Sequence, residues 1–182
     1  MKKELTIGTI LISKPFMEDK RFEKTIILIV DINEDGIIGF IINKNTSSII
    51  QDIITEIPNE NISIKYGGPV DDNSSLFYLH QYPDLINGSK IIKNGVFWGG
   101  NIDDVINGIN SKEINTNKII FFLGYTGWEK HQLTNEIKEG SWIIHEINLA
   151  NLYNNLNWSD LLIEVNKEYE IWATAPSDFH LN

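Results

Sequence analysis

The sequence predicts a single α+β domain built around a strand-rich core. The chain has 182 residues, 42% of them hydrophobic, which matches the length and apolar content of one domain. Isoleucine is abundant, and its branched Cβ favours strands. Strand-like segments occur in blocks with interspersed helices, which favours α+β over strict β-α alternation. No linker or composition break appears, so the predicted domain spans residues 1–182, with 173–182 as a loosely held tail.

The first half of the chain predicts several strands and one helix. Two apolar runs flank Asn33-Glu34-Asp35-Gly36, which predicts a hairpin whose turn needs a positive φ at Gly36. Residues 46–48 (Thr-Ser-Ser) precede isoleucines spaced three or four apart, which predicts a helix that Pro58 ends. The strands are predicted at residues 8–12, 25–32, 37–42, 62–66, 76–80 and 91–98.

The second half predicts two strands and three helices. Asn101 is a cap for a short helix with one apolar side. The apolar run at residues 119–123 is a strand expected in the middle of the sheet. Thr126 and Glu129 form a capping box for a helix that ends near Gly140. A further strand is predicted at residues 142–147 and a further helix at 158–165.

The Gly-Tyr-Thr-Gly-Trp turn at residues 124–128 is the strongest local candidate for a ligand site. Amide groups at the start of a helix can hold a carboxylate or phosphate. The spacing matches neither nucleotide-binding glycine motif, and the alternative is a tight turn with Trp128 as a packing anchor. In the helix that follows, Gln132 and Glu136 lie one turn apart, so they either point at one polar group or form a solvated face.

His80 is the best-placed titratable residue for acid–base chemistry. No Gly-x-Ser-x-Gly or Ser-x-x-Lys motif supplies a nucleophile, so no catalytic residue is assigned. The glycines of Gly67-Gly68-Pro69-Val70 either bring the backbone close to a ligand or turn a corner. The chain has no cysteine, and its histidines lack metal-ligand spacing, so neither a metal nor a cofactor is expected.

Charge disfavours direct binding to nucleic acid. The net charge is −10, from 25 acidic and 15 basic residues, and Arg21 is the only arginine. Duplex binding requires neutralisation of phosphates, and base reading depends heavily on arginine. No apolar run is long enough to span a membrane, and the first residues do not form a secretion signal, so a cytoplasmic location is expected.

An ordered series of motifs resembles the YqgE/AlgH family of bacterial proteins, most strongly over residues 8–145. The motifs are Gly8-Thr-Ile-Leu-Ile-Ser-Lys-Pro15, Glu34-Asp-Gly-Ile-Ile-Gly-Phe-Ile-Ile-Asn-Lys44, Gly67-Gly-Pro-Val70, Gly95-Val-Phe-Trp-Gly-Gly100 and Phe121-Phe-Leu-Gly-Tyr-Thr-Gly-Trp128. Two departures are Lys20 and Asn45, which stand where many relatives have proline.

The resemblance implies a compact α+β domain with a strongly curved, barrel-like mixed sheet and flanking helices. It also implies a role as a transcriptional regulator, without catalytic residues or a cofactor. The candidate ligand-binding set has nine residues. Eight of them match signature positions of the family: Asn43, Gly67, Gly68, His80, Tyr125, Gly127, Trp128 and Gln132. The ninth is Glu136.

The expected function is therefore regulation through a protein partner or a small anionic ligand, without direct contact to DNA. The alternative is an enzyme or an anionic-metabolite-binding protein that uses the 124–128 turn with His80 and Glu136.

Overall fold

Two β-sheets and four α-helices form the part of the chain that the computed structural model describes, residues 4–57, 61–71, 75–129 and 131–173. The strands are β1 (Ile10–Ser13), β2 (Ile26–Ile32), β3 (Ile37–Ile41), β4 (Asn45–Ile49), β5 (Ser63–Tyr66), β6 (Leu76–His80), β7 (Lys90–Lys93), β8 (Val96–Trp98), β9 (Ile119–Leu123), β10 (Thr126–Trp128) and β11 (Trp142–His145). The helices are α1 (Ile102–Asn110), α2 (Gln132–Glu139), α3 (Trp158–Val165) and α4 (Glu170–Ala173).

Both sheets are open. The five-stranded sheet has the order β10-β3-β2-β1-β11 and is antiparallel throughout. The six-stranded sheet has the order β4-β5-β9-β6-β8-β7, in which only β5 and β9 are parallel. The predicted α+β class is confirmed. The barrel-like sheet implied by the resemblance is wrong, because the described strands divide between two sheets and neither sheet closes on itself.

Each sheet has apolar residues on both of its faces, so each is covered on both sides. In β2, Leu28 faces the six-stranded sheet and Ile27 faces α2. In β9, Phe122 faces the five-stranded sheet and Phe121 faces α1. The rings of Phe40 and Phe122 stack between the sheets with centroids 4.9 Å apart. Continuous apolar runs therefore form strands that are buried on both faces.

The two sheets are joined at one corner, where β3 leads into β4 and β9 leads into β10. The Ile41 N–H donates to the Gly67 carbonyl oxygen at 2.8 Å, and the Gly67 N–H donates to the Leu123 carbonyl oxygen at 2.8 Å. Val70 and Tyr125 form an isolated antiparallel bridge beside them. Gly67 therefore connects a strand of each sheet at this corner.

Several predicted elements are confirmed. Strands β2 and β3 form the hairpin, with Gly36 at φ +148°. Strand β9 lies inside the six-stranded sheet, as expected. The Asn101 side chain caps α1 by accepting a hydrogen bond from the Asp103 N–H at 2.9 Å. Helix α2 ends at Gly140, which adopts φ +86°, and α3 occupies its predicted range.

The predicted helix that follows Thr46 is wrong. Residues 45–49 form β4, and only a short 3-10 turn, Ile50–Asp52, follows. The Thr46 hydroxyl donates to the Ile64 carbonyl oxygen at 2.8 Å, so this side chain is used in strand pairing and not in a helix cap. Ile50 and Ile54 are buried all the same, because the turn faces the cluster beneath α1.

Two other boundaries differ from the prediction. The single strand expected at residues 91–98 is the hairpin β7–β8, in which Asn94 and Gly95 both take positive φ, as an Asn-Gly turn requires. The helix expected to open at Thr126 begins at Gln132, because residues 126–128 form β10. The Thr126 hydroxyl donates to the Gly39 carbonyl oxygen at 2.8 Å and caps no helix. The expected tail beyond Ala173 lies outside the described residues.

Candidate functional site

A groove of about 660 Å³ lies between α2, the segment at residues 14–22 and the edge strands β10 and β11. We call it the tryptophan groove, after Trp128 and Trp142 in its wall. Its other described lining residues are Lys14, Pro15, Phe16, Met17, Glu18, Asp19, Arg21, Phe22, Pro69, Val70, Gly127, Gln132, Glu136, Glu139, Gly140 and Ser141. Four members of the candidate set therefore lie in one groove.

Glu136 holds both tryptophans in place. Its Oε2 atom accepts hydrogen bonds from Trp128 Nε1 at 3.0 Å and from Trp142 Nε1 at 2.8 Å. Its Oε1 atom accepts a hydrogen bond from Gln132 Nε2 at 2.9 Å. Because the two indoles are only 6% and 3% exposed, the Glu136 carboxylate supplies the acceptor that their buried N–H groups need. Gln132 and Glu136 thus share a face, as predicted, and bond to each other.

Phe22 completes an aromatic wall with the two tryptophans. Its ring centroid lies 5.6 Å from that of Trp142, edge to face, and 6.4 Å from that of Trp128, nearly parallel. The Arg21 guanidinium carbon lies 5.9 Å from the centre of the Phe22 ring. Contacts of this kind hold rings in fixed orientations, so the groove has a preorganised aromatic wall.

Acidic side chains outnumber basic ones around the groove. Arg21 is paired with Asp19 through Nη2, at 2.7 Å from Oδ2, and this guanidinium holds the pKa of the Asp19 carboxyl below its ordinary value. The other charged lining residues are Lys14, Glu18, Glu136 and Glu139. Four acidic side chains against two basic ones give the lining an excess of negative charge.

The first two amides of the 124–128 turn are already used within the fold. The Gly124 N–H donates to the Ser75 carbonyl oxygen at 3.0 Å, and the Tyr125 N–H donates to the Val70 carbonyl oxygen at 3.0 Å. The next three residues pair with β3. Since α2 begins only at Gln132, the turn does not place these amides at the start of a helix, where they could hold an anion.

His80 lies in the six-stranded sheet and does not line the tryptophan groove. Its Nδ1 accepts a hydrogen bond from the Tyr82 N–H at 3.1 Å. Its Nε2 lies 3.1 Å from the Gly99 carbonyl oxygen. A carbonyl only accepts, so Nε2 carries the hydrogen of the neutral ring. The side chain is fully buried, and this burial lowers the pKa of His80.

The pH dependence of stability tests this environment of His80. The unfolded chain takes up a proton near the ordinary histidine pKa of about 6.5, while the folded chain resists it. The contribution of neutral His80 to the free energy of unfolding is therefore complete above a pH of about 6.5. It is lost as the pH falls towards the lower pKa of the folded state, by up to about 1.4 kcal/mol per pH unit. Urea unfolding at about pH 7.5 and about pH 5.5 should show a larger loss in the wild type than in His80→Gln. Equal losses would contradict a buried neutral imidazole.

Three other candidate residues lie in structural positions. The Asn43 side chain accepts a hydrogen bond from the Ile26 N–H at 2.8 Å and donates to the Lys24 carbonyl oxygen at 2.9 Å, which fixes the start of β2. Gly67 and Gly68 form the corner between the sheets, where an added Cβ would collide with the backbone of the 124–128 turn. These three residues are not brought to the tryptophan groove.

Tyr125 lines a second cleft, of about 430 Å³, whose wall also includes Gly127, Trp128 and Gln132. The Tyr125 ring meets Phe77 edge to face, with centroids 5.6 Å apart. The structure therefore gathers five of the nine candidates around β10 and α2. The other four hold strands and the corner between the sheets in place: Asn43, Gly67, Gly68 and His80.

Sequence reasoning missed Phe22 and Trp142 as members of the site. Neither residue lies in a motif that the sequence analysis singled out as a site. The available signal was chemical: a buried indole N–H needs an acceptor, and Glu136 lies six residues before Trp142.

Neither a metal cluster nor a membrane-crossing helix occurs in the described part of the chain. Within residues 4–57, 61–71, 75–129 and 131–173, no group of three or more histidine, aspartate or glutamate side chains is placed to hold a metal ion. In the same ranges, no helix has both the length and the apolar character needed to cross a bilayer.

Comparisons with other sequences identify relatives of the whole chain. The AlgH-like family model matches residues 10–173. A UPF0301 protein from Bacteroides fragilis is 39% identical over 179 residues, which cover 96% of this chain and 90% of the relative. A UPF0301 protein from Cytophaga hutchinsonii is 33% identical over 181 residues, covering 98% of this chain and all of the relative.

Comparisons with solved structures identify the same fold. The solution structure of AlgH from Pseudomonas aeruginosa has a TM-score of 0.69 at 24% identity, and the match covers 97% of this chain and 99% of that one. The crystal structure of a protein from Corynebacterium diphtheriae has a TM-score of 0.76 at 19% identity, covering 96% and 95% of the two chains. At these identities the likeness extends to the fold alone.

Proposed function

This chain belongs to the AlgH-like family, and from that premise we propose that it is a regulatory protein that holds a segment of a protein partner in the tryptophan groove. One observation carries the proposal: two nearly buried tryptophans, fixed by one carboxylate, form the wall of an open groove rimmed by acidic side chains. Regulation then occurs through this partner and not through direct contact with DNA. A cytoplasmic location is part of the proposal.

The aromatic wall suits a peptide side chain. Interface hot spots are rich in tryptophan and other aromatic residues, which lie in pockets surrounded by a polar rim. Because Trp128 and Trp142 are nearly buried, the apolar surface open to a ligand comes mainly from Phe22 and the exposed Phe16. The two tryptophans pack against Phe22 and hold it in place. A volume of about 660 Å³ is sufficient for an apolar side chain and its neighbours.

The rim selects a basic segment. Glu18 and Glu139 are exposed at the groove, while Arg21 is engaged with Asp19. The whole chain carries −10, so its field attracts positive charge as well. The proposed ligand is therefore a peptide in which an apolar or aromatic side chain is flanked by lysine or arginine.

Selection from a random peptide library tests the proposed ligand. We expect the wild-type protein to enrich basic peptides with an apolar or aromatic residue. The Glu18→Lys, Glu139→Lys double variant should bind the winning peptides at least about tenfold more weakly. The control is Glu113→Lys, an exposed site away from the groove, which should bind them as the wild type does. Failure to enrich such peptides, or equal binding by the double variant, would refute the proposal.

A mixed-sequence DNA duplex serves as the second arm. Fluorescence anisotropy at about 20 mM and about 150 mM salt should show no binding, because a chain of net charge −10 repels the DNA phosphates. The two salt concentrations are used because phosphate-driven association appears at low salt and weakens at high salt. Binding at the lower salt that weakens at the higher would contradict a regulator that acts only through a protein partner.

The enzyme or anionic-metabolite alternative has less support. It requires His80, Glu136 and the 124–128 turn to act on one substrate. Both imidazole nitrogens and the Gly124 and Tyr125 amides are engaged in hydrogen bonds within the fold, and Glu136 accepts three hydrogen bonds from the groove wall.

A further inference from the structure

Another pocket, of about 540 Å³, lies at the β4–β5 edge of the six-stranded sheet. We call it the asparagine pocket, because five asparagines line it: Asn45, Asn61, Asn117, Asn154 and Asn155. Short 3-10 turns, Thr116–Lys118 and Leu149–Tyr153, contribute to its wall. It shares no lining residue with the tryptophan groove, so the two sites can be tested independently.

Lys65 gives this pocket a positive charge. It lies on β5 between Ile64 and Tyr66, is half-buried, and faces a wall whose described residues include no carboxylate. Among the described residues, no acidic side chain lies within ion-pair distance of its ammonium group. Burial accordingly lowers the pKa of Lys65. Lys65 therefore offers an anion in the pocket an ion-pair partner that no described carboxylate occupies.

Tyr153 supplies a hydrogen-bond donor in the same wall. Its hydroxyl oxygen is buried and has no hydrogen-bond partner among the described residues. Burial raises the pKa of Tyr153, so the phenol keeps its proton at neutral pH. The Lys118 ammonium lies 5.9 Å from the centre of the Tyr153 ring, which adds positive potential beside the pocket. A buried polar atom without a partner is uncommon, and a ligand in the pocket satisfies this hydroxyl once the wall opens around Tyr153.

The asparagines define the rest of the ligand. Each side-chain amide both donates and accepts hydrogen bonds, and hydroxyl groups do the same. We propose that the asparagine pocket binds a small anion that also carries hydroxyl groups, of the sugar phosphate or sugar acid class. In this arrangement Lys65 and Tyr153 contact the anionic group and the asparagines contact the hydroxyls. The site differs from the groove in ligand and in charge.

Thermal unfolding at constant ionic strength tests this proposal with glucose 6-phosphate, gluconate, inorganic phosphate and glucose as probes. We expect glucose 6-phosphate or gluconate at about 10 mM to raise the Tm, because binding to the folded state alone stabilises it. A shift with the first assigns a phosphate and a shift with the second a carboxylate. Glucose, which lacks charge, should give no shift, and inorganic phosphate should give a smaller one.

Matched variants locate the effect. Lys65→Met should abolish the shift, and Tyr153→Phe, which keeps the ring, should weaken binding at least several-fold. Lys93→Met is the control, an exposed lysine in β7 at the opposite edge of the same sheet, and it should respond as the wild type does. If no anionic probe raises the Tm, or if Lys65→Met responds like the wild type, the proposal is overturned.

Discussion

Replacing Gly67 with alanine is expected to lower the free energy of unfolding by about 3 kcal/mol, a large fraction of the about 5–15 kcal/mol that stabilises a typical domain. An added Cβ at this position would collide with the carbonyl oxygen of Gly124, which is backbone and cannot rotate away. The Gly67 N–H and carbonyl group also bond to a strand of each sheet, so a local shift would disturb both. Urea unfolding followed by tryptophan fluorescence measures the effect.

Gly127→Ala is the matched control. Gly127 is exposed, and the nearest atom to an added Cβ is the Tyr125 Cε2 atom at 3.3 Å, part of a ring that can move. Its expected change is below about 1 kcal/mol. Similar effects for the two substitutions would mean that the corner is not closely packed, and would contradict a steric requirement for glycine at position 67.

Replacing Glu136 with alanine is expected to lower the free energy of unfolding by about 3 kcal/mol, because two buried indole N–H groups lose their acceptor at once. Trp128 and Trp142 have no other hydrogen-bond acceptor within the described residues for these N–H groups. The near-ultraviolet circular dichroism of the tryptophans should weaken as well, since the carboxylate fixes their orientation. Unfolding curves and circular dichroism on the same samples provide both readouts.

Glu136→Gln separates shape from charge. The glutamine oxygen can still accept from both indoles, so the expected loss is only about 1 kcal/mol. A glutamine variant as unstable as the alanine variant would show that the negative charge, and not the acceptor, stabilises the groove. An alanine variant as stable as the wild type would contradict the role of Glu136 as the anchor of both tryptophans.

The local sequence pattern correctly predicted elements in which the apolar spacing and the turn or cap residues indicate the same structure. The apolar runs on either side of Asn33-Glu34-Asp35-Gly36 formed the hairpin, and Asn101 capped its helix. It failed at residues 49–57, where isoleucine favours strands while its spacing fits a helix. The pairing of β4 with β5 takes the expected cap residues 46–48 into a strand, and only a short 3-10 turn forms among the isoleucines that follow. This pairing is not readable from local sequence.

The sheet architecture and half of the site could not be predicted, because they depend on long-range pairing. Nothing local indicates that β3 and β9 each continue into the other sheet, so the sequence could not distinguish two open sheets from a barrel. Trp128 and Glu136 were identified by the turn and helix that carry them. Phe22 reaches the same wall from more than a hundred residues earlier in the chain.

The most direct test of the tryptophan groove uses the indole N–H signals in a ¹⁵N-tryptophan NMR spectrum, recorded while the selected basic peptide is added. Trp128 and Trp142 line the groove, whereas Trp98 lies in β8 of the other sheet. We predict that the Trp128 and Trp142 signals shift in a saturable way and that the Trp98 signal does not move. Saturation of the peptide without any change at Trp128 and Trp142 would contradict the claim that this groove is the binding site.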